Sequence, residues 1–263
     1  ITHYLLPIIL VLGLFFIFIS KNKNLKLNSL LIFSSIAFGF YSIELFLNAS
    51  SFLNQRKWIE KMRNKNGFFD KRSNLEFVKN SRENGKDVYP ITYSANNFAA
   101  LNIEGKDTLS FSGVANSESI FCNETGKWIS LKTDEMGFGN PKGKWNKSDI
   151  KILLLGDSYG LSTCVEEKYR MDSLLNLRYG NTINLSYSMN GPLIQLAVLR
   201  EYGNIIKPKN IVWFYYGNDL YDLDKNIKNK ILKSYMNKDF KQDLYKKSQK
   251  VNIGMKNLSN KIY

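Results

Sequence analysis

The most constraining feature of this chain is an alternation of short apolar runs and helical stretches in its second half. Three runs have the length and the apolar residues of strands buried on both faces: DIKILLL (149–155), TINLSYS (182–188) and NIVWFYY (210–216). Residues 166–178 and 191–203 lie between them and predict helices, the second with Pro192 in its first turn and its end at Gly203. This order predicts an α/β fold with a parallel sheet and right-handed crossovers.

A serine follows the first of these strands in a glycine-bounded turn. Gly156, Ser158 and Gly160 satisfy the pattern G-x-S-x-G, the nucleophile turn of α/β-hydrolases. In that fold several strands and an oxyanion loop precede the serine. Here only a polar segment and a short hairpin do so, and the context therefore argues against an α/β-hydrolase.

A different resemblance covers residues 150–223. The segments LLLGDSYG, NLSYSMNGP and YYGNDL resemble the first three sequence blocks of the SGNH, or GDSL, hydrolase superfamily. Its members are serine esterases, lipases and carbohydrate deacetylases or acetyltransferases on a three-layer α/β/α fold. The flanking segments NETGKWISLKTDEMGFGNP and GPLIQLAVLREY resemble membrane-anchored bacterial members of the same superfamily.

The resemblance implies roles for three residues. Ser158 would be the nucleophile, and Asn218 and a backbone N–H near Gly191 would be donors to the oxyanion. The family usually has glycine where this chain has Met189, so Gly191 or the Met189 N–H would take that role. Simpler interpretations are that Ser158 caps a helix and that Asn218 bonds its own turn. No metal and no cofactor are expected.

The expected sheet order is 2-1-3, with the crevice between the first and third strands. Ser158 and Asn218 follow the carboxyl ends of those two strands and would face each other across it.

The general base of such an enzyme is absent from the sequence. The family carries an Asp-x-x-His pair near its C-terminus, whereas the only histidine here is His3. We interpret the chain as the N-terminal part of a hydrolase domain that is incomplete at the C-terminus and inactive in this form. The alternative is a non-catalytic, membrane-anchored relative that keeps the cleft to bind a polymer or a partner.

Two apolar stretches near the N-terminus, 4–19 and 27–47, are each close to the length that crosses a bilayer as a helix. They predict a transmembrane hairpin over residues 1–49, and the alternative is a signal peptide followed by a buried helix. Lysines between the two stretches favour a cytoplasmic loop, which would place the C-terminal domain outside the cytoplasm. Basic residues after the second stretch favour the opposite orientation. The resemblance to exported members favours an extracytoplasmic, periplasmic domain. The expected partners are the lipid bilayer and an acylated glycan or lipid substrate.

Residues 50–148 are interpreted as a stalk and lead-in to the α/β domain at 149–263. Within this segment, 118–133 predicts a β-hairpin with Gly126 in its turn. Cys122 and Cys164 lack the spacing of a metal site; they are either free buried thiols or one disulfide of an exported domain. We expect the two cysteines to lie close enough to pair.

The basic composition does not by itself indicate a nucleic-acid partner. Lysine and arginine number 37 against 23 acidic residues, a net charge of +14. These residues are spread among asparagines and form no recognisable DNA- or RNA-binding motif. A composition rich in lysine and asparagine, or attraction to anionic lipid head groups, accounts for the charge more simply. We therefore expect no nucleic acid among the partners.

Overall fold

A computed structural model describes residues 22–66 and 69–261. The chain divides into two compact units, residues 1–67 and 68–263. The division differs from the boundaries at 49/50 and 148/149 that the sequence predicts. The first predicted membrane stretch, 4–19, lies outside the described residues.

The first unit contains a 44-residue helix, α1 (Lys23–Asn66). Its segment Lys26–Ser50 has a mean hydropathy of 1.9 and is long and apolar enough to cross a membrane. Within the described residues it is the one helix of this kind. Since α1 continues to Asn66, the chain that follows the predicted second span is helical and not an irregular stalk.

The second unit contains eight strands and seven helices within residues 69–261. The strands are β1 (Val88–Pro90), β2 (Leu101–Ile103), β3 (Lys106–Thr108), β4 (Glu118–Cys122), β5 (Ile129–Lys132), β6 (Ile152–Leu155), β7 (Thr182–Asn184) and β8 (Asn210–Trp213). The α-helices are α2 (Asn74–Glu83), α3 (Ser158–Leu161), α4 (Met171–Tyr179), α5 (Pro192–Ile206), α6 (Asp219–Ile227), α7 (Lys230–Ser234) and α8 (Ser248–Asn260). Short 3-10 turns lie at Lys144–Asn146 and Glu167–Tyr169.

The predicted parallel sheet is confirmed, with strand order β7-β6-β8 and both pairs parallel. This is the expected 2-1-3 order. The central strand β6 is buried at every residue, as its apolar run predicts. Helix α5 begins at Pro192 as expected but ends at Ile206, not at Gly203. Gly203 is an interior residue of the helix, and the chain leaves it at Lys207, which adopts a left-handed conformation.

Residues 69–148 are packed against the rest of the second unit. The predicted hairpin is confirmed as the antiparallel pair β4–β5, and Gly126 in its turn has a φ of 85°. Leu109 exchanges two hydrogen bonds with the side chain of Gln242, which precedes α8. The Ala115 N–H donates to the Asn252 side chain of α8 at 2.8 Å. This segment is therefore an integral layer of the domain, and the prediction of a stalk does not describe it.

A buried carboxylate ties this segment to the parallel sheet. Asp134 is fully buried and accepts hydrogen bonds from the Phe138 N–H, the Asn140 amide and the Trp145 indole. Asn140 also bonds both backbone groups of Asn184 on β7. Burial raises the pKa of Asp134 to about 6, and these donors oppose the rise. A single acidic side chain thus fixes the loop that follows β5 and connects it to β7.

The structure contains a disulfide between Cys122 on β4 and Cys164, whose Cα atoms are 5.7 Å apart. The expectation that these cysteines lie close enough to pair is confirmed. Cys164 lies six residues after Ser158, so the bond fastens the loop after α3 to the hairpin sheet.

One edge of the parallel sheet is open. Strand β8 pairs with β6 on one side and has no strand partner on the other within the described residues. Ile211, Val212 and Trp213 are 47%, 38% and 44% exposed, although successive residues face opposite sides of the sheet. Both faces of β8 therefore present apolar surface to solvent.

Candidate functional site

Ser158 is the first residue of α3, directly after β6. Asp157 is the N-terminal cap of this helix, and its carboxylate accepts the Tyr159 N–H at 2.9 Å. The capping role that the sequence left open for Ser158 therefore belongs to Asp157. Ser158 is half-buried, and among residues 69–261 none of the hydrogen bonds involves its Oγ. The hydroxyl is available for chemistry.

The turn after β7 provides the second element of the site. The Asn190 N–H donates to the Tyr187 carbonyl at 3.1 Å, and Met189 at the third position of this turn has a φ of 65°. Type II turns need a positive φ at that position and usually have glycine there. Met189 adopts this conformation without being glycine, so the turn forms with a methionine at its third position. Gly191 is buried and forms the N-terminal cap of α5.

Asn218 is exposed and forms the N-terminal cap of α6. Its side-chain amide donates to the Asp222 carboxylate, four residues later, at 2.8 Å. An amide has two N–H groups, so this bond leaves one N–H of Asn218 for another acceptor. One N–H of Asn218 therefore makes a local bond, close to the simpler interpretation of this residue, and the other N–H remains for an acceptor outside this segment.

Several contacts join the segments that carry these residues. The rings of Tyr159 and Tyr216 are stacked, with their centroids 3.9 Å apart. Tyr159 follows Ser158 in the sequence, and Tyr216 lies two residues before Asn218. Asp222, the partner of Asn218, also lies against Gly191, because a Cβ added at Gly191 would be 2.7 Å from the Asp222 Cβ. These contacts bring the three loops together at the carboxyl end of the sheet.

The serine loop also contacts the turn after β7 directly. The Tyr187 N–H donates to the Gly156 carbonyl at 3.3 Å, and the hydroxyls of Thr163 and Ser188 are 2.7 Å apart. The α3 loop is therefore held between the other two segments.

The site is acidic beneath its surface. Asp219 is buried and accepts the Tyr216 N–H at 2.6 Å, which fixes the turn that presents Asn218. Burial is the main cause of a raised pKa at Asp219, and the negative charges of Asp157 and Asp222 add to it. The hydrogen bond with Tyr216 raises the pKa of Tyr159.

Two of these residues have roles that sequence reasoning did not assign. The sequence patterns assign no role to Asp219 or Asp222. The signal for Asp222 was present, since it lies four residues after Asn218 on a predicted helix and so on the same helix face. The stacking of Tyr159 on Tyr216 had no sequence signal, because the two lie 57 positions apart.

The described residues contain no histidine, since His3 lies outside them, and they include no group of acidic, histidine or cysteine side chains placed to hold a metal ion. Two open grooves of about 470 and 430 Å³ lie elsewhere on the second unit and include none of Ser158, Gly191 and Asn218. The candidate site therefore lies at the carboxyl end of the parallel sheet, outside both grooves, and the described residues bring no histidine to it.

Comparison with known proteins adds no relative: no family model, no curated protein and no solved structure matches this chain.

Proposed function

We propose that this chain is part of a membrane-anchored serine esterase or acyltransferase of the SGNH type, which acts on acyl esters, such as acetyl esters, of cell-envelope glycans or lipids. The observation that carries the proposal is the meeting of the Ser158, Gly191 and Asn218 loops at the carboxyl end of a parallel sheet in 2-1-3 order. Open α/β sheets bind ligands at this position.

The chemistry assigned to the site is acyl transfer through a covalent intermediate. The Ser158 Oγ attacks the acyl carbonyl carbon, its proton passes to a base, and the alcohol leaves with a proton. Water or a second hydroxyl then releases the acyl group. The N–H of Ser158, a backbone N–H of the 189–191 turn and the free N–H of Asn218 are the proposed oxyanion donors. Loss of one such donor typically lowers the rate by about 100-fold.

The proposal requires a base from outside the described residues. It also requires a segment that covers β8, because an apolar parallel strand is normally buried on both faces. A strand along the free edge of β8, with helices over its two faces, would enclose the site and give a three-layer α/β/α fold.

The disulfide supports a location outside the cytosol, because such bonds persist in oxidising compartments and are rare in the reducing cytosol. Together with the apolar segment of α1, it favours an anchored, periplasmic domain.

A non-catalytic binding protein is the second candidate. The observations that favour it are the absence of a base among residues 22–66 and 69–261 and the bond that Asn218 already makes to Asp222. The reading frame past codon 263 separates the two. An Asp-x-x-His motif there supports the enzyme, and a complete frame without one supports the binding protein.

The direct test uses the full reading frame and a simple aryl acetate. Ser158→Ala should abolish turnover, whereas Asn218→Ala should leave a slower enzyme because the backbone donors remain. Ser248→Ala, at the start of α8, is the matched control and should retain full activity. Equal turnover by the parent and Ser158→Ala would contradict the assignment.

A further inference from the structure

A groove on the second unit, away from the candidate site, is lined by lysines from four parts of the chain. Lys106 lies on β3, Lys230 on α7, Lys241 on the following loop and Lys247 just before α8. The groove has a volume of about 430 Å³. Three of these lysines lie within the lysine-rich segment 230–247, and the fold brings Lys106 of β3 to the same groove.

The positive charge of this groove is only partly neutralised. Two aspartates, Asp107 and Asp243, line it with the four lysines, and the Asp243 carboxylate lies 3.5 Å from Lys246. Within the described part of the chain, no carboxylate lies within 4 Å of the ammonium groups of Lys106, Lys230 and Lys241. Several like charges around one groove repel each other, and a multiply charged anion would relieve that repulsion.

One wall of the groove is held rigidly from below. The buried carboxylate of Glu201 accepts the Gln242 N–H at 2.6 Å and the Leu244 N–H at 2.9 Å. The Gln242 carbonyl in turn accepts the Lys247 ammonium at 2.9 Å. The backbone that carries Lys241 and the ammonium of Lys247 are therefore positioned before any ligand arrives, which reduces the entropy lost on binding.

We propose that this groove binds the phosphate groups of an anionic ligand. Lysine ammoniums are compact charges with three N–H donors each, which suits them to phosphate oxygens. The half-buried side chains of Ile231 and Phe240 form its apolar wall and would pack against the carbon skeleton next to a phosphate. The phosphate could belong to a soluble compound or to a lipid head group. This inference is independent of the function proposed for Ser158.

The test is a calorimetric titration of the whole chain in neutral detergent. Pyrophosphate is one probe, and short-chain phosphatidylglycerol is the other, with short-chain phosphatidylcholine as its zwitterionic reference. Lys230→Ala/Lys241→Ala should weaken binding by about tenfold or more. Lys79→Ala/Lys86→Ala removes the same charge from exposed positions outside the groove and should change affinity by less than about twofold.

Each outcome decides something. Binding of pyrophosphate alone supports a soluble phosphate ligand, and preferential binding of phosphatidylglycerol supports a lipid head group. No binding of either probe by the parent overturns the proposal. Equal weakening in both double variants also overturns it, because net charge alone would then explain the interaction. Circular dichroism of each variant confirms that it is folded.

Discussion

Removal of the bond between Cys122 and Cys164 is predicted to cost a large share of the stability of the second unit. The two residues are 42 positions apart in sequence. Closing a loop of that length lowers the entropy of the unfolded chain by about 13 cal/mol/K, which corresponds to about 4 kcal/mol at 25 °C in the chain-entropy treatment. Single domains are typically stable by about 5–15 kcal/mol, so this loss would remove between about a quarter and about four fifths of the free energy of unfolding.

The assay is urea denaturation of the whole chain in neutral detergent, followed by tryptophan fluorescence. The Cys122→Ser/Cys164→Ser variant is compared with the parent, each with and without a reductant. The parent should lose stability when reduced and then resemble the variant, whereas the variant should not respond to the reductant. Equal denaturation midpoints for the variant and the oxidised parent would refute the entropic reasoning, and a variant that responds to the reductant would show that the effect lies elsewhere.

Two further predictions concern stability. Since burial raises the pKa of Asp134 from 3.8 to about 6, the folded state binds more protons than the unfolded state between these pH values, and this residue's contribution to stability is lost as pH rises through about 6. The difference in unfolding free energy between the parent and Asp134→Asn should therefore change by up to roughly 3 kcal/mol between pH 4 and pH 7. The same pH dependence in both proteins would contradict this. Gly191→Ala should lower stability by about 1–3 kcal/mol, because its Cβ would lie 2.6 Å from the Asn226 Oδ1. Gly217→Ala, where a Cβ meets nothing within 4 Å, is the thermal-melting control, and equal melting temperatures for the two variants would refute the packing argument.

The parts of the fold that the sequence predicts are those that depend on local patterns. Strand β6 follows from a continuous apolar run, and the start of α5 follows from Pro192, whose ring fits a first helical turn. The hairpin β4–β5 follows from the glycine in its turn. In each case the deciding residues are neighbours along the chain.

The parts that could not be predicted depend on contacts between distant segments. Asp134 becomes a central residue only because Asn140 and Trp145 fold back onto it and Asn140 reaches β7. The apolar run of β8 predicts a strand buried on both faces, but the described residues leave it exposed. Burial of a strand depends on which neighbours cover it, and the strand's own sequence does not identify them.

The candidate site shows the same division. Its position after the strands follows from sequence, because the carboxyl ends of parallel strands lie at one edge of the sheet. The bond from Asn218 to Asp222 and the support of Asp219 depend on side-chain geometry, which motif matching does not supply. The positive φ of Met189 was not expected, because left-handed backbone is uncommon for residues other than glycine.

The packing of residues 69–148 on the end of the chain has a consequence for how the domain folds. Leu109 is held by Gln242, which lies 133 positions later, and Ala115 by Asn252, which lies 137 positions later. During synthesis these early segments leave the ribosome long before their partners exist. Contacts of such large sequence separation slow folding, because the loop between them must be closed first. The β2–β3 and β4–β5 hairpins and the β6–β7 pair can form early, whereas the packing of β2 on α8 and the bonds of Leu109 must wait for residues 242–260. A nascent chain that stops before residue 240 would therefore expose this layer to chaperones and proteases.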